Sequence, residues 1–274
     1  MERQVLSKST IYIMLSLGGF FMLLPFIWMI STALKPPNEV MAMPPVWIPS
    51  EFRWGNFGQA LQMAPFGRYF INSVIVTVIS TIGELITTIL AAYAFSRMRF
   101  YGKEIVFAVL LGTMMVPGEV LLIPNFVTVA NLGWIDSYQA LIVPWIASIF
   151  SIFLLRQYFL GIPESLSYAA KIDGCSDFKF LWYIMVPIAK PALVTIALLK
   201  IIGSWNAFLW PLIVTNSTEM RTLPVGLTSF TTEAGTIYEL FMAASTIVIL
   251  PMLILFFIMQ KHIIQGVARS GVKG

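Results

Sequence analysis

Charge, cysteine and histidine are all scarce in this sequence, and each scarcity closes off a class of function. Only 11% of the 274 residues are charged, against about 25% in soluble domains. The chain is 58% hydrophobic, and it reads as an all-α integral membrane protein. The formal net charge of +4 is small and scattered, which gives no sign of a nucleic-acid partner. The single cysteine, Cys175, rules out an internal disulfide and leaves the redox compartment open. The single histidine, His262, leaves no basis for a Ser–His–Asp triad or a multi-histidine metal site. No G-x-x-x-x-G-K-[ST] loop occurs; "FYGKEI" carries a Gly-Lys with no phosphate-cradling loop before it. With no repeat and no low-complexity segment, one membrane domain over residues 1–274 is the simplest organisation. Its core covers about residues 66–265, and residues 1–65 supply a first helix and an external segment.

Long apolar runs are abundant. A spanning helix needs about 20 apolar residues, and six runs qualify: Ile11–Leu34, Phe70–Phe95, Ile105–Phe126, Leu141–Leu160, Ala192–Val214 and Leu240–Gln260. Ser31 and Ala33 mimic a signal-peptide cleavage site, but the uncharged stretch from Ser9 to Leu34 is too long for a typical signal. The first helix is therefore expected to be retained. Lys and Arg near helix ends set the orientation. With the N-terminus in the cytoplasm, twelve of the 17 cations fall inside, including Arg97, Arg99, Lys103, Arg156, Lys171, Lys179 and Lys190. Four fall outside, namely Lys35, Arg53, Arg68 and Arg221, and Lys200 lies within a span. Both termini are thus expected in the cytoplasm. Outside, the Pro- and Trp-rich Lys35–Tyr69 suggests an ordered cap or short interfacial helices, with Trp47 and Trp54 at the interface.

Several spans carry polar groups. Thr77, Ser80, Thr81, Glu84, Thr87 and Thr88 recur on one face of the second helix. Such a stripe should face other helices or a water-filled path; hydroxyls bonded back to their own helix would explain the Ser and Thr but not Glu84. Glu84 lies eleven residues before Phe95 and Lys200 nine after Pro191, about 16 and 13 Å deep at the helical rise. The similar depths leave two expectations open: that they pair, because an isolated charge there is costly, or that Lys200 snorkels to the inner interface alone. "GSWNAFLWP" brings Trp205 and Asn206 to a bend formed by Gly203, Ser204 and Pro211. That bend either lines a path or packs helices, with Asn206 bonded to a neighbour. "MVPGEV" breaks the third helix and places Glu119 toward the outer half. Glu84, Glu119, Lys200, Trp205 and Asn206 are the candidates for a path or gate.

Between the fourth and fifth runs lies a polar insert, "IPESLSYAAKIDGCSDFKFLWYIMVP". Pro163 suits a first helical position and Glu164 its positive end. Leu166, Ala169, Ala170 and Asp173 follow at helical spacing, and Gly174 reads as a left-handed stop. Ser176 and Asp177 start a second helix, whose apolar stripe is Phe178, Leu181, Trp182 and Met185 and which Pro187 ends. Small Ala169 and Ala170 allow close approach of another surface. An amphipathic hairpin lying on the membrane is the alternative.

These residues resemble a known family. "YAAKIDGCSDFKFLWYIMVPIAKPAL" looks like the loop of permease subunits in binding-protein-dependent ABC importers, with its Glu-Ala-Ala, Asp-Gly-Ala and Leu-Pro pattern. "AAYAFSRMRFYGK", "LLRQYFLGIPESL", "SWNAFLWPL", "TLPVGLTSF" and "QGVARSGVKG" extend the likeness to the maltose-type smaller permease of carbohydrate uptake, a MetI-like transmembrane domain. The resemblance implies a multi-pass subunit of a bacterial cytoplasmic membrane, surrounded by lipid and not itself an enzyme. It implies a second homologous permease, two ATP-binding subunits carrying ATP and Mg2+, an external solute-binding protein, and a sugar substrate, an oligosaccharide foremost. Glycerol phosphate or another polyol is the alternative within the family; an ATP-independent secondary transporter is the alternative outside it. By resemblance, the helix holding Glu164, Tyr168, Ala169, Ala170, Asp173 and Gly174, with Phe178 following, couples to the ATPase, and Gln265–Gly274 reaches it too. Three positions depart from the family: Tyr168 stands where it has glutamate, Cys175 where alanine is usual, and Ala207 where an acid commonly follows Asn206. Any salt bridge or cap that the family's carboxylate supplies is expected either to be absent here or to be made by Glu164, one turn earlier.

Overall fold

A computed structural model describes the backbone of residues 2–233 and 235–271 and the side chains of residues 10–233 and 235–260. The side chains of Arg3, Lys8, Lys261, His262, Arg269 and Lys273, with those of the tail from Gln265 to Gly274, lie outside the described residues. The helices in chain order are α1 (Glu2–Ala33), α2 (Pro37–Val40), α3 (Gly55–Met63), α4 (Phe66–Arg97), α5 (Lys103–Thr113), α6 (Leu122–Asn131), α7 (Tyr138–Ile142) and α8 (Ile149–Leu160). They continue with α9 (Glu164–Ile172), α10 (Asp177–Phe180), α11 (Val186–Ile188), α12 (Lys190–Trp205), α13 (Leu209–Val214), α14 (Leu223–Gly226) and α15 (Tyr238–Gly271). The only strands among the described residues pair Thr231–Thr232 with Gly235–Thr236.

Three stretches form single helices long and apolar enough to cross a membrane: Thr10–Ala33, Phe66–Arg97 and Tyr238–Gln260. The other expected spans are not straight. The third bends by 92° between α5 and Gly118–Asn131, the fourth by 40° between Tyr138–Trp145 and α8, and Asp177–Ile188 meets α12 at 78°. The expected fifth run, Ala192–Val214, stops being helical at Trp205 and resumes at Leu209. Proline explains the first break: Pro117 lacks the amide that a continuing helix needs, and Met114–Pro117 is left as a turn. Pro187 behaves otherwise than expected. The helix runs past it to Ile188 because a π-helical stretch, Leu181–Met185, precedes it and loosens the hydrogen-bond register.

One compact unit contains Met1–Phe66 and Gly226–Pro251. From Thr10 to Ile30 α1 is exposed almost all round, an apolar surface that needs lipid or another protein to cover it. Its C-terminal end is different. The Asn56 amide donates to the carbonyls of Ala33 (2.9 Å) and Lys35 (3.0 Å), and the Arg53 amide to that of Leu34. These bonds cap a helix whose last carbonyls have no partner of their own. Lys35 is fully buried, its ammonium 3.7 Å from the Trp28 ring, which Trp47 meets edge-on. The segment after α1 is thus an ordered cap with short helices, as its Pro and Trp content suggests.

The second unit contains Gly67–Val225 and Met252–Gly274. Its largest apolar cluster joins Ile89, Ala92 and Tyr93 of α4 to Leu155 and Phe159 of α8, Phe180, Leu181 and Met185 of the insert, and Ala192 and Ile196 of α12. At the other end of α4, buried Asn72 donates to the carbonyls of Glu219 (2.7 Å) and Arg221 (2.9 Å) and accepts from the Tyr138 hydroxyl (2.6 Å). Asp136 sits in the left-handed region (φ 60°) and accepts from the amides of Asn216 and Ser217. Partial burial pushes its carboxyl up, but the Ser217 and Asn216 hydrogen bonds outweigh that and hold it below the usual value. The junction between the α6–α7 and α13–α14 loops should therefore be tightest above about pH 4 and loosen as pH falls through the lowered value. The protection of the Asn216 and Ser217 amides, taken relative to intrinsic exchange at each pH, should fall on acidification in the wild type. In Asp136→Asn that dependence should vanish.

Candidate functional site

The site grows out of the break in the fourth span. The chain leaves helical geometry between Trp145 and Ile149, and Ser148 caps α8 through its side chain. The carbonyls of Trp145 and Ile146 lose the helical donors they would otherwise have. In hydrocarbon such groups must find other partners. The Lys200 ammonium on α12 donates to Trp145 O at 2.6 Å, and the Thr87 hydroxyl on α4 donates to Ile146 O. Gly83 makes the approach possible: a Cβ there would lie 3.0 Å from Ile146 Cγ2.

Lys200 Nζ also lies 3.1 Å from Glu84 Oε2, with both side chains largely buried (13% and 7% exposed). The pairing expected from their depths forms, and Lys200 does not snorkel alone. Ser151, one turn into α8, donates its hydroxyl to Glu84 Oε1 at 2.7 Å. One carboxylate, one ammonium, two hydroxyls and two backbone carbonyls thereby join α4, α8 and α12 around the break. The charges are matched and each makes one further hydrogen bond, which helps a buried pair survive its desolvation. Four residues along both helices, the hydroxyls of Ser80 and Ser204 meet at 3.4 Å.

The polar stripe of α4 faces the chain's own interior: Thr77, Ser80, Thr81, Glu84 and Thr88 are all buried. Back-bonding explains only part of it. Ser80 donates to Thr77 O, and Thr87 reaches Gly83 O and Glu84 O. The hydroxyls of Thr77, Thr81 and Thr88 have no partner among the described residues.

The other expected path residues lie apart from this centre. Glu119 is exposed in the short 3-10 turn Gly118–Leu121, with no ion pair among the described residues. Trp205 is buried edge-on to Phe70. Asn206 bonds neither a ligand-facing group nor a neighbouring helix; its amide donates to Ile202 O of its own helix at 2.9 Å and closes α12. The bend falls after Trp205, not at Gly203 and Ser204.

The polar insert forms a helix, a glycine turn and a second helix. Pro163 is the extended cap residue, one place before the helix it was expected to begin, and Glu164 opens α9. Gly174 is left-handed (φ 72°), and the Ser176 hydroxyl caps α10 by accepting from the Lys179 amide. Ala170 is the one buried residue of α9. Adjacent helix positions point about 100° apart, so Ala169 faces outward and Ala170 is spent on the chain's own core; only Ala169 can meet another surface. Tyr168 (58% exposed), Ile172 (86%) and Phe178 (66%) stand out from the insert, and Asp173 is exposed beside them. Glu164 is exposed and makes no ion pair among the described residues, so it does not replace the missing carboxylate within this chain.

Sequence reasoning missed Ser151, Thr87's second bond and Gly83. Ser148 and Ser151 carry a cap signal three residues apart, but a backbone carbonyl as ligand leaves no trace in residue letters.

Comparison with known proteins gives a consistent picture. The family model described as "Binding-protein-dependent transport system inner membrane component" matches residues 83–269. The arabinooligosaccharides transport system permease protein AraQ of Bacillus subtilis (strain 168) is 36% identical over 270 residues, covering 96% of this chain and 94% of that protein. The sn-glycerol-3-phosphate transport system permease protein UgpE of Yersinia pestis bv. Antiqua (strain Antiqua) is 32% identical, covering 94% and 95%. A chain of a bacterial ABC transporter involved in the import of the acidic polysaccharide alginate superposes with a TM-score of 0.82 at 26% identity, covering 92% of this chain and 94% of that one.

Removing one partner of a buried pair strands the other and costs about 3–5 kcal/mol, whereas replacing both with apolar groups is often near neutral. Lys200→Met and Glu84→Leu should each lower the unfolding temperature of the purified, lipid-embedded protein. The double variant should lose less than the sum of the two. Gly83→Val should also destabilise, since Ile146 has to move.

Proposed function

This chain belongs to the inner membrane components of binding-protein-dependent transport systems, and from that premise we propose that it is one of two permeases in an ATP-driven oligosaccharide importer. It crosses a bacterial cytoplasmic membrane six times, the bent third and fourth pairs each counting as one span and the run Ala192–Val214 as the fifth, with both termini inside. A solute-binding protein delivers the sugar from outside. Two ATP-binding subunits, carrying ATP and Mg2+, close against the cytoplasmic face, and this chain has no hydrolytic role of its own.

The observation that carries this reading is α9. A nine-residue helix holds on to its own chain through one alanine, Ala170, while Ile172, Tyr168 and Ala169 project outward. Exposing that much apolar side chain on a short cytoplasmic helix is unfavourable unless another surface covers it. A helix presented in this way fits the groove of an ATP-binding subunit, and Gly174 sets its exit angle. Contact rests on shape, because Tyr168 replaces a carboxylate and Ala170 is turned inward.

The spans bear on the substrate. A phosphorylated polyol calls for free cationic donors along the path. The apolar runs hold two cations, Arg156 near the end of the fourth and Lys200 in the fifth; Arg156 is engaged by Phe95 O and Glu104, and the charge of Lys200 is matched by Glu84. A sugar read through hydroxyl groups agrees better with this chain's contribution. Glu84 and Lys200 then serve a gate, holding the broken fourth span against α4 and α12.

Capture of the ATP-binding subunits from solubilised membranes tests the docking. The wild type should retain them. Ile172→Asp and Gly174→Val, the second at a positive φ where a branched side chain is strained, should each reduce capture about tenfold or more, with α-helical content unchanged. ATP-independent uptake by this chain alone in vesicles would refute the reading.

A further inference from the structure

Two arginines outside the gate join the spans to the insert, and they cross. Arg97 ends α4, and its Nη2 donates to Phe159 O (2.7 Å) and to Ile162 O. Those carbonyls flank the exit from α8, just before Pro163 and α9. Arg156 on α8 reaches the opposite way, its Nε donating to Phe95 O in the last turn of α4 at 3.0 Å. The Arg156 guanidinium is further fixed over the Phe107 ring (4.2 Å) and by Glu104 (3.5 Å). Each helix therefore has its C-terminal carbonyls capped by an arginine of the other. These are positions where a cation is favoured by unpaired carbonyls and by the helix dipole. Capping alone would be met by water at a cytoplasmic helix end. Crossed charge-assisted bonds between two helices do more, since neither end can rotate or slide without breaking the other's cap.

The connection runs on at both ends. Ile162, whose carbonyl Arg97 holds, is buried in the same apolar cluster as Ala170, the single anchor of α9. Along α4, Glu84 lies 13 residues before Arg97, about 20 Å at the helical rise. A push on α9 thus reaches Ile162, then the crossed arginines, then α4 and the ion pair that holds the broken span.

We propose that Arg97 and Arg156 are positioning residues that convert displacement of α9 into movement of α4, and so couple ATP-driven closure to the gate at Glu84 and Lys200. This inference rests on the proposed importer function. Arginine is required for its geometry: lysine keeps the charge, but at residue 97 its shorter stem ends about one bond before the Nη2 position that meets both carbonyls, and at residue 156 its ammonium cannot pack flat on Phe107.

The test uses the whole importer, with its second permease, ATP-binding subunits and binding protein, reconstituted in liposomes. ATP hydrolysed per sugar imported is the readout, together with capture of the ATP-binding subunits. A wild type that imports sugar on ATP satisfies the functional premise; one that does not overturns that premise and leaves the complex no ratio to alter. Arg97→Lys and Arg156→Lys should keep the complex assembled and hydrolysing ATP. Each should raise ATP consumed per sugar about fivefold, within the range for substitutions on a coupling path. Arg99→Lys, at an exposed residue without such bonds, should leave the ratio at the wild-type value. If hydrolysis and import fall together in the Arg97 and Arg156 variants, with the ratio unchanged, the two arginines only stabilise the fold and the proposal is wrong. An unchanged ratio at full activity overturns it equally.

Discussion

A backbone carbonyl released from its helix inside a membrane protein must find another donor, and this chain releases many of them. Lipid offers no hydrogen bonds, so each interruption of a span creates a debt in polar groups that a side chain must settle. The recurring answer here is a long or forked donor aimed at main-chain oxygen. Lys200 and Thr87 serve Trp145 and Ile146. Arg97 and Arg156 serve the ends of α8 and α4. The Trp210 indole donates to Ala140 O, and Asn56 closes α1. These polar side chains are thus committed to holding bent helices together.

That commitment changes the meaning of charge in the spans. Glu84 and Lys200 could be read as solvated groups lining an aqueous route. Their burial, their 3.1 Å separation and the additional bonds from Ser151 and to Trp145 O make them one structural knot among three helices. A knot of matched charges is strong while complete and weak once a partner is withdrawn. That asymmetry suits an element with two discrete states. A bend at an unwound segment can change angle only if the bonds that satisfy it are exchanged together.

The insert obeys the reverse rule. Most of α9 is exposed in this chain, so its sequence is free to spend residues on surface. Ala170 and Ile162 fix it to the core, and nearly everything else on α9 faces outward. Firm attachment at one end and an exposed apolar face at the other are what a mechanical link between two proteins requires.

Much of this could be read from the letters. The apolar runs, the helix–Gly174–helix form of the insert and the break near Pro117 follow from local rules, because hydropathy, proline and glycine act on their own neighbours. Depth along a helix is nearly as local, so residue counts bring Glu84 and Lys200 to one level, while the choice between pairing and snorkelling came from the fold. Three further things needed the tertiary structure. The 92° bend and the resumption of helix at Leu209 depend on how neighbouring spans fill the space left by a break. The division between Ala169 and Ala170 depends on which way α9 rolls against α4 and α8, and one residue of helix turns a side chain by about 100°. The carbonyl partners of Lys200, Arg97 and Arg156 are main-chain atoms, identical at every position, so residue identity cannot mark them. The sequence by itself therefore determined where polar groups lie and how deep. Only the fold decided which backbone oxygens they hold, because that is set by the packing of helices far apart in the chain.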